Sequence, residues 1–229
     1  RSIGLNKPDA VKARIQDINP SVDVSVRRTL LGGQESSAST EAALQSIAGC
    51  DVVIDATADA TIFNLCSAVA KNCRIPMIWG EVFAGGVGGI VARARPDIDP
   101  APLSARRQLV AWCAGQGVPW TGKESEAYDL SRDDAPPLVA DDTEVTTMAA
   151  HITRFSIDAL IREETIFPHS AYVVGLRKEW IFNAPFETFP IVLEPEGTWR
   201  PLASDRSSAE LTALIGELFP NVSEGNNGS

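Results

Sequence analysis

The chain has 229 residues, 44% hydrophobic and 22% charged, with a formal net charge of −10 at pH 7. That is enough chain for one large globular core or two small ones, and too acidic for a general nucleic-acid binder, because phosphate backbones are held by basic surfaces. No run approaches the ~20 apolar residues of a membrane helix, and no basic stretch followed by an apolar one opens the chain, so neither a membrane span nor a signal peptide is expected.

Gly4 to Asp9 reads as a loop entering a helix, with Pro8 suited to the first helical turn and Asp9 to its positive end. Apolar residues at helical spacing carry that helix through Ile18, and Asn19-Pro20 ends it. Val22, Val24 and Val26 alternate with polar residues and predict a strand. Gly32 to Thr40 is a polar loop, and Glu41 to Ile47 a short helix. Then comes Gly49-Cys50-Asp51-Val52-Val53-Ile54-Asp55-Ala56-Thr57-Ala58-Asp59. It predicts a strand over Asp51 to Ile54, a small-residue turn bearing two acids, and a helix over Ala60 to Asn72. In a parallel α/β sheet, the exit from a strand's carboxyl end is where nucleotides and metal ions bind. Asp55 and Asp59 stand there to serve a phosphate-bound Mg²⁺, which takes oxygen ligands and few protein groups. The alternative, that either one caps the following helix, stays open.

Ile75 to Phe83 predicts the next strand. Gly85 to Arg93 is glycine-rich but lacks G-x-G-x-x-G spacing, so it is read as a tight crossover into a further strand and not as a phosphate cradle. A loop from Arg95 to Pro102 leads into a helix over Ser104 to Gly115, where Arg106-Arg107 forms a solvated face. Val118 to Pro137 is polar, acidic and irregular, which marks a mobile or functional loop. Val145 to Arg162 regains helical periodicity. Asp141, Asp142 and Glu144 suit the positive end of that helix, and His151 on it is expected to be partly buried. Strand-like pieces follow at Tyr172 to Leu176, Glu179 to Phe182 and Phe189 to Leu193. A last helix is predicted over Ser207 to Leu218, with a disordered tail at 223–229. This alternation gives an α/β class with a mostly parallel sheet flanked by helices, and a smaller β-rich C-terminal extension from about residue 170.

The four cysteines form no C-x-x-C pair, which argues against a zinc ribbon. Cys50, Cys66 and Cys73 lie in apolar surroundings and are read as small buried hydrophobes. Cys113 sits on a helix face between Trp112 and Ala114, again as packing. With only His151 and His169 in the chain, a histidine-based catalytic dyad has little room.

Three segments, in order, resemble the ThiF/MoeB/ubiquitin-activating-enzyme superfamily. They are Asn6 to Val24, with its early lysine and Asn-Pro turn before a V-x-V strand; Cys50 to Thr57, before a D-x-T-D-N motif; and Ile78 to Phe83 with Gly85 to Val91. The resemblance implies a Rossmann-like fold, ATP and Mg²⁺ as cofactors, and adenylation of the C-terminal glycine of a ubiquitin-like or sulfur-carrier protein. It implies a homodimer; the cytoplasmic location is expected from the free thiols, and the absence of nucleic-acid and membrane partners from the acidic charge and the lack of a long apolar run. The resemblance places Lys7 on the ATP phosphates, Asp55 and Thr57 at the nucleotide, and Asp59 or Asp55 on the metal. The family's metal-binding aspartate falls on Ala58, with an acid one residue later at Asp59. The tail from Ser170 is similar to bacterial ThiF-type proteins found with conjugating-enzyme-like partners.

The family's glycine-rich nucleotide loop lies upstream of its lysine, so the chain is expected to be an incomplete fragment holding part of an ATP site. Residues 1–169 form the C-terminal part of the adenylation domain, 170–222 the β-rich extension and 223–229 the tail. No cysteine occupies the segment Leu138 to Val145, so no thioester step is expected within this chain. Two other classes compete: a non-catalytic scaffold that binds a ubiquitin-like or conjugating partner, and a dinucleotide-binding oxidoreductase, which the missing G-x-G-x-x-G disfavours.

Overall fold

The computed structural model describes residues 4, 6–28, 37–118, 140–196 and 199. The chain divides into two units, Arg1–Ala43 and Leu44–Ser229. The expected final helix and tail, and nearly all of the Val118 to Pro137 loop, lie outside the described residues.

In the first unit, helix α1 (Lys7–Ile18) starts with a proline in its first turn and carries Asp9 there, as the sequence predicts. Arg28 reaches back to pair with Asp9 at 3.0 Å. The strand expected at Val22 to Val26 does not form; residues 23–28 carry no ladder. Alternating valines favour an extended backbone, but a strand also needs a neighbour to take its hydrogen bonds, and none of the described residues supplies one. Helix α2 (Ser37–Ala48) follows and is longer than expected.

The second unit is built on one five-stranded sheet, β1 (Val53–Asp55), β2 (Met77–Val82), β3 (Gly88–Ala94), β4 (Ala171–Gly175) and β5 (Thr188–Ile191), ordered β1-β2-β3-β4-β5. Its helices are α3 (Ala60–Cys73), α4 (Pro102–Gly115) and α5 (Asp142–Ile161). The α/β class with a helix-flanked sheet holds, but its strand sense does not. Only β1 and β2 run parallel; the other three pairings are antiparallel. The glycine segment explains the difference. A parallel connection needs a dozen or more residues, whereas Phe83 to Val87 reverses the chain at once through Gly85 and Gly86, both in the left-handed region. The expected crossover is therefore a hairpin turn. The β-rich extension continues this same sheet through β4, and the Glu179 to Phe182 piece is a turn instead of a strand.

Strand alternation separates the two faces. Ile78 and Val91 face α5, where they cluster with Met148, Ile152, Phe155 and Val174. Gly80 makes that packing possible, because a β-carbon there would meet Ile152 Cδ1 at 2.7 Å. Trp79 points the other way, its ring 5.4 Å from Phe63 of α3. Arg106 of α4 was expected in solvent. It is half-buried, paired with Glu81 of β2 at 2.9 Å, and lies over the Phe63 ring. Arg107 is exposed as predicted.

Helix ends are set by named residues. Asp59 caps α3, and Arg74 in the left-handed conformation ends it. Asp141 and Glu144 form a reciprocal capping box on α5. At the far end of α5, Asp158 is joined to Arg93 of β3 at 2.5 Å, both side chains being almost wholly buried. Burial pushes the Asp158 carboxyl up, but the Thr165 hydroxyl, the Ile166 N–H and Arg93 outweigh it and hold it below the ordinary carboxylate range.

Candidate nucleotide and metal site

The turn leaving β1 stands at the carboxyl end of the one parallel pair in the described sheet. Asp55, the last residue of β1, is 5% exposed. Its Oδ1 accepts hydrogen bonds from the backbone N–H of Thr57 at 2.9 Å and from the Thr57 hydroxyl at 2.7 Å. That hydroxyl in turn accepts from the Asp59 N–H at 3.2 Å. Asp59 Oδ1 accepts from the Ile62 N–H at 2.9 Å, which caps α3. Asp55, Thr57 and Asp59 thus form one continuous polar turn, with Ala58 held at φ 55° between the last two.

The capping alternative for Asp59 is therefore realised, yet it uses one oxygen of an exposed carboxylate. The second oxygen takes no hydrogen bond among the described residues. Neither Asp55 nor Asp59 is paired with a lysine or arginine there, although the other strongly buried aspartate, Asp158, has Arg93. Asp59 offers an oxygen donor open to solvent at a helix N-terminus and Asp55 a buried one in the same turn, and such donors could serve a Mg²⁺ held mainly by phosphate and water. A closed protein cage is absent: among the described residues, no three His, Cys, Asp or Glu side chains gather as metal ligands.

Lys7 opens α1 as an exposed residue of the first unit, while Asp55, Thr57 and Asp59 belong to the second. The structure brings these last three together, as the sequence places them. What sequence reasoning missed is the rest of this sheet edge. The carboxylate of Glu144, only 8% exposed, lies where a β-carbon on Gly86 would sit, and pairs with Arg177 beyond β4. The ring of Trp180 is 5.8 Å from Phe83, the residue after β2. The capping-box spacing hinted at Glu144; nothing local pointed to Arg177 or Trp180.

Two of the four thiols, Cys66 and Cys113, are ill suited to act as nucleophiles. Burial, then Asp55, pushes the Cys66 thiol up to about 11. Burial, then Glu81, pushes Cys113 up to about 11. Such thiols stay protonated at neutral pH and out of reach of solvent. Cys73 is also buried, but Cys50 is exposed, contrary to expectation, because it stands at the loop entering β1 and only its Sγ contact to the Ser46 carbonyl covers it. His151 is half-buried, and burial followed by the nearby Arg154 holds it below its ordinary value.

No curated protein matches the sequence. Among solved structures, the crystal structure of selenomethionine PaaA is similar to the fold with a TM-score of 0.53 and 14% identity, over 81% of this chain and 55% of that one. At that identity the likeness is one of fold, and this chain spans little more than half of that protein's length. No helix among the described residues is long and apolar enough to cross a membrane. The sequence itself matches the ThiF family over residues 1–214, and with that span the chain belongs to the ThiF family.

Proposed function

We propose that this chain supplies part of the ATP site of an enzyme that adenylates the C-terminal carboxylate of a ubiquitin-like or sulfur-carrier protein. ThiF-family proteins in general carry out adenylation of this kind. The observation that carries the reading here is the pair Asp55 and Asp59, two carboxylates without a protein countercharge at the carboxyl end of β1. In the reaction, an oxygen of the acceptor's carboxylate bonds to the α-phosphorus of ATP. The bond from that phosphorus to the bridging oxygen breaks, and pyrophosphate leaves with the electron pair.

The residues of this chain contribute positioning and charge. Asp59 and Asp55 are the groups that would hold Mg²⁺, which when bound supplies countercharge to the polyphosphate. Thr57 fixes the Asp55 carboxylate by two hydrogen bonds and so sets the direction in which its other oxygen is offered. Lys7, a point cation at the start of α1, neutralises phosphate charge that builds as the carboxylate attacks. A dimer in the cytoplasm, with a conjugating-enzyme-like partner, belongs to the same reading, as does a domain spanning 1–169 followed by the extension.

Calorimetry of Mg²⁺–ATP binding to the full native polypeptide tests it, alongside Lys7→Ala. Saturable binding that weakens about tenfold or more in the variant supports the enzyme, since one charge-assisted contact is worth ~1.5–3 kcal/mol. Absence of binding in a folded, full-length protein sinks it. One observation favours the second reading, a scaffold: Ala58 stands where the family's metal-binding aspartate falls, and both neighbouring acids already serve the turn. A scaffold binds its protein partner without Mg²⁺–ATP and without pyrophosphate exchange.

A further inference from the structure

Helix α4 leaves one of its faces uncovered by any described residue. Leu103, Arg107, Val110, Ala111 and Ala114 recur at helical spacing and all are exposed, Leu103 by 47% and Val110 by 38%. With the half-buried Arg106 they line a shallow groove on the outside of the helix. The two alanines keep its floor low, so a second helix can approach closely. The sequence of α4 holds two arginines and no acidic residue. Arg106 is committed to Glu81, whereas Arg107 makes no ion pair among the described residues.

The path of the chain after β5 points to what covers this face. The ring of Phe189, within β5, is 5.9 Å from that of Trp112 in the last turn of α4. Further on, Glu194 is held by the Gln108 side chain, which accepts from its N–H at 2.7 Å and donates to its carbonyl at 2.9 Å. Trp199 then donates its indole N–H to the Asp99 carbonyl at 2.8 Å, just ahead of α4. The chain is thus strapped along α4 from its last turn back past its first, and Trp199 stands at the end of the helix where Leu103 opens the groove.

The sequence that follows fits the groove in length, face and charge. Residues 200–206 can span up to ~23 Å, ample to cross from the strap to the groove. A helix over Ser207 to Leu218 is ~18 Å long, against ~21 Å for α4. It presents Leu211, Leu214, Ile215 and Leu218 at i, i+3, i+4 and i+7. Glu210 and Glu217, two turns apart on one side of that stripe, are its only charged residues. Two glutamates without a base thus face two arginines without an acid.

We infer that the segment Ser207–Leu218 docks as a helix on the outer face of α4 of the same chain. Its leucines and Ile215 seat against Leu103, Val110, Ala111 and Ala114, and its glutamates lie beside Arg107. This goes beyond the adenylation reading and stands whether or not the chain binds nucleotide.

Hydrogen–deuterium exchange read by mass spectrometry on the full native polypeptide tests it, with a synthetic peptide of residues 200–222 as the undocked reference. An isolated helix of this length is marginal in water, so slow exchange requires docking. Amides of 207–218 are expected to exchange at least about tenfold more slowly in the protein than in the peptide, unchanged by an about hundredfold dilution. Val110→Glu, at an exposed position and with a good helix former, removes most of this protection while leaving that of β3 intact. Arg107→Glu weakens it about two- to fivefold, and adding Glu210→Lys with Glu217→Lys restores it, as a direct charge contact requires. Ile161→Glu, exposed at the end of α5, leaves it unchanged. Exchange as fast as in the free peptide overturns the docking, as does protection indifferent to both Val110→Glu and Arg107→Glu. Protection lost on dilution, with a dimer in sedimentation, also overturns it and makes the groove a seat for a second copy's segment.

Discussion

Two aspartates in this molecule are built alike and end in different conditions. Asp55 and Asp158 are both buried, and each accepts hydrogen bonds from a nearby threonine hydroxyl and a backbone N–H. Asp158 has in addition Arg93, whose guanidinium is stacked near the rings of Phe155 and Phe167. Asp55 has no cation among the described residues. Hydrogen bonds hold a carboxylate in place, but only a positive charge neutralises it. The Asp158 site is therefore complete, and it fastens the connection between α5 and β4 to the middle of the sheet. The Asp55 turn is ordered but has no basic partner among the described residues, which leaves a place for a cation ligand.

Substitution separates the two sites. Asp158→Asn leaves Arg93 buried without its countercharge, and chemical denaturation is expected to show a loss of about 3–5 kcal/mol. A loss under about 1 kcal/mol would mean that Arg93 finds another partner. Acid sharpens the same point. Because the folded Asp158 carboxyl is held below its ordinary value, its contribution is fully present above the unfolded value near ~3.9 and is lost as pH falls through the folded one. Denaturation midpoints across that window should fall more steeply in the wild type than in Asp158→Asn.

At the other site the expected effects on folding are smaller. Asp59→Ala removes the α3 cap and costs about 1 kcal/mol, while Asp59→Asn keeps the cap and costs a few tenths or less. If Asp59 also serves the metal, both variants lose Mg²⁺–ATP affinity in calorimetry; loss in the alanine variant alone would leave it a cap. Asp55→Asn retains an acceptor for Thr57 and is expected to cost about 1 kcal/mol or less. Its effect is on nucleotide binding. A large drop in stability with unchanged binding would reverse the contrast between the two aspartates.

Much of this edge was legible in residue order, because its parts are local. Asp55, Thr57 and Asp59 lie within five positions, and their turn follows from strand, small residues and helix in succession. The sheet's sense was legible too, in principle, since Phe83 to Val87 is too short for any crossover; the alternation of helices and strands, which suggests a mostly parallel sheet, concealed it. Other features have no local signature. Glu144 and Arg177 are 33 residues apart, and Arg93 and Asp158 are 65 apart. Arg106 sits in a run that resembles a solvated helix face, and only the presence of Glu81 and the Phe63 ring on the neighbouring strand and helix draws it inward. Long-range pairs of this type are decided by which elements the fold lays side by side.

The uneven burial of the four cysteines gives the protein a native handle for spectroscopy. Cys66, Cys73 and Cys113 are sealed in the core, two of them with thiols pushed to about 11, while Cys50 stands in solvent. A maleimide dye applied to the folded protein at neutral pH should therefore couple at a single position, at the entrance to β1, without engineering away any cysteine. From there it reports on the strand whose other end carries Asp55.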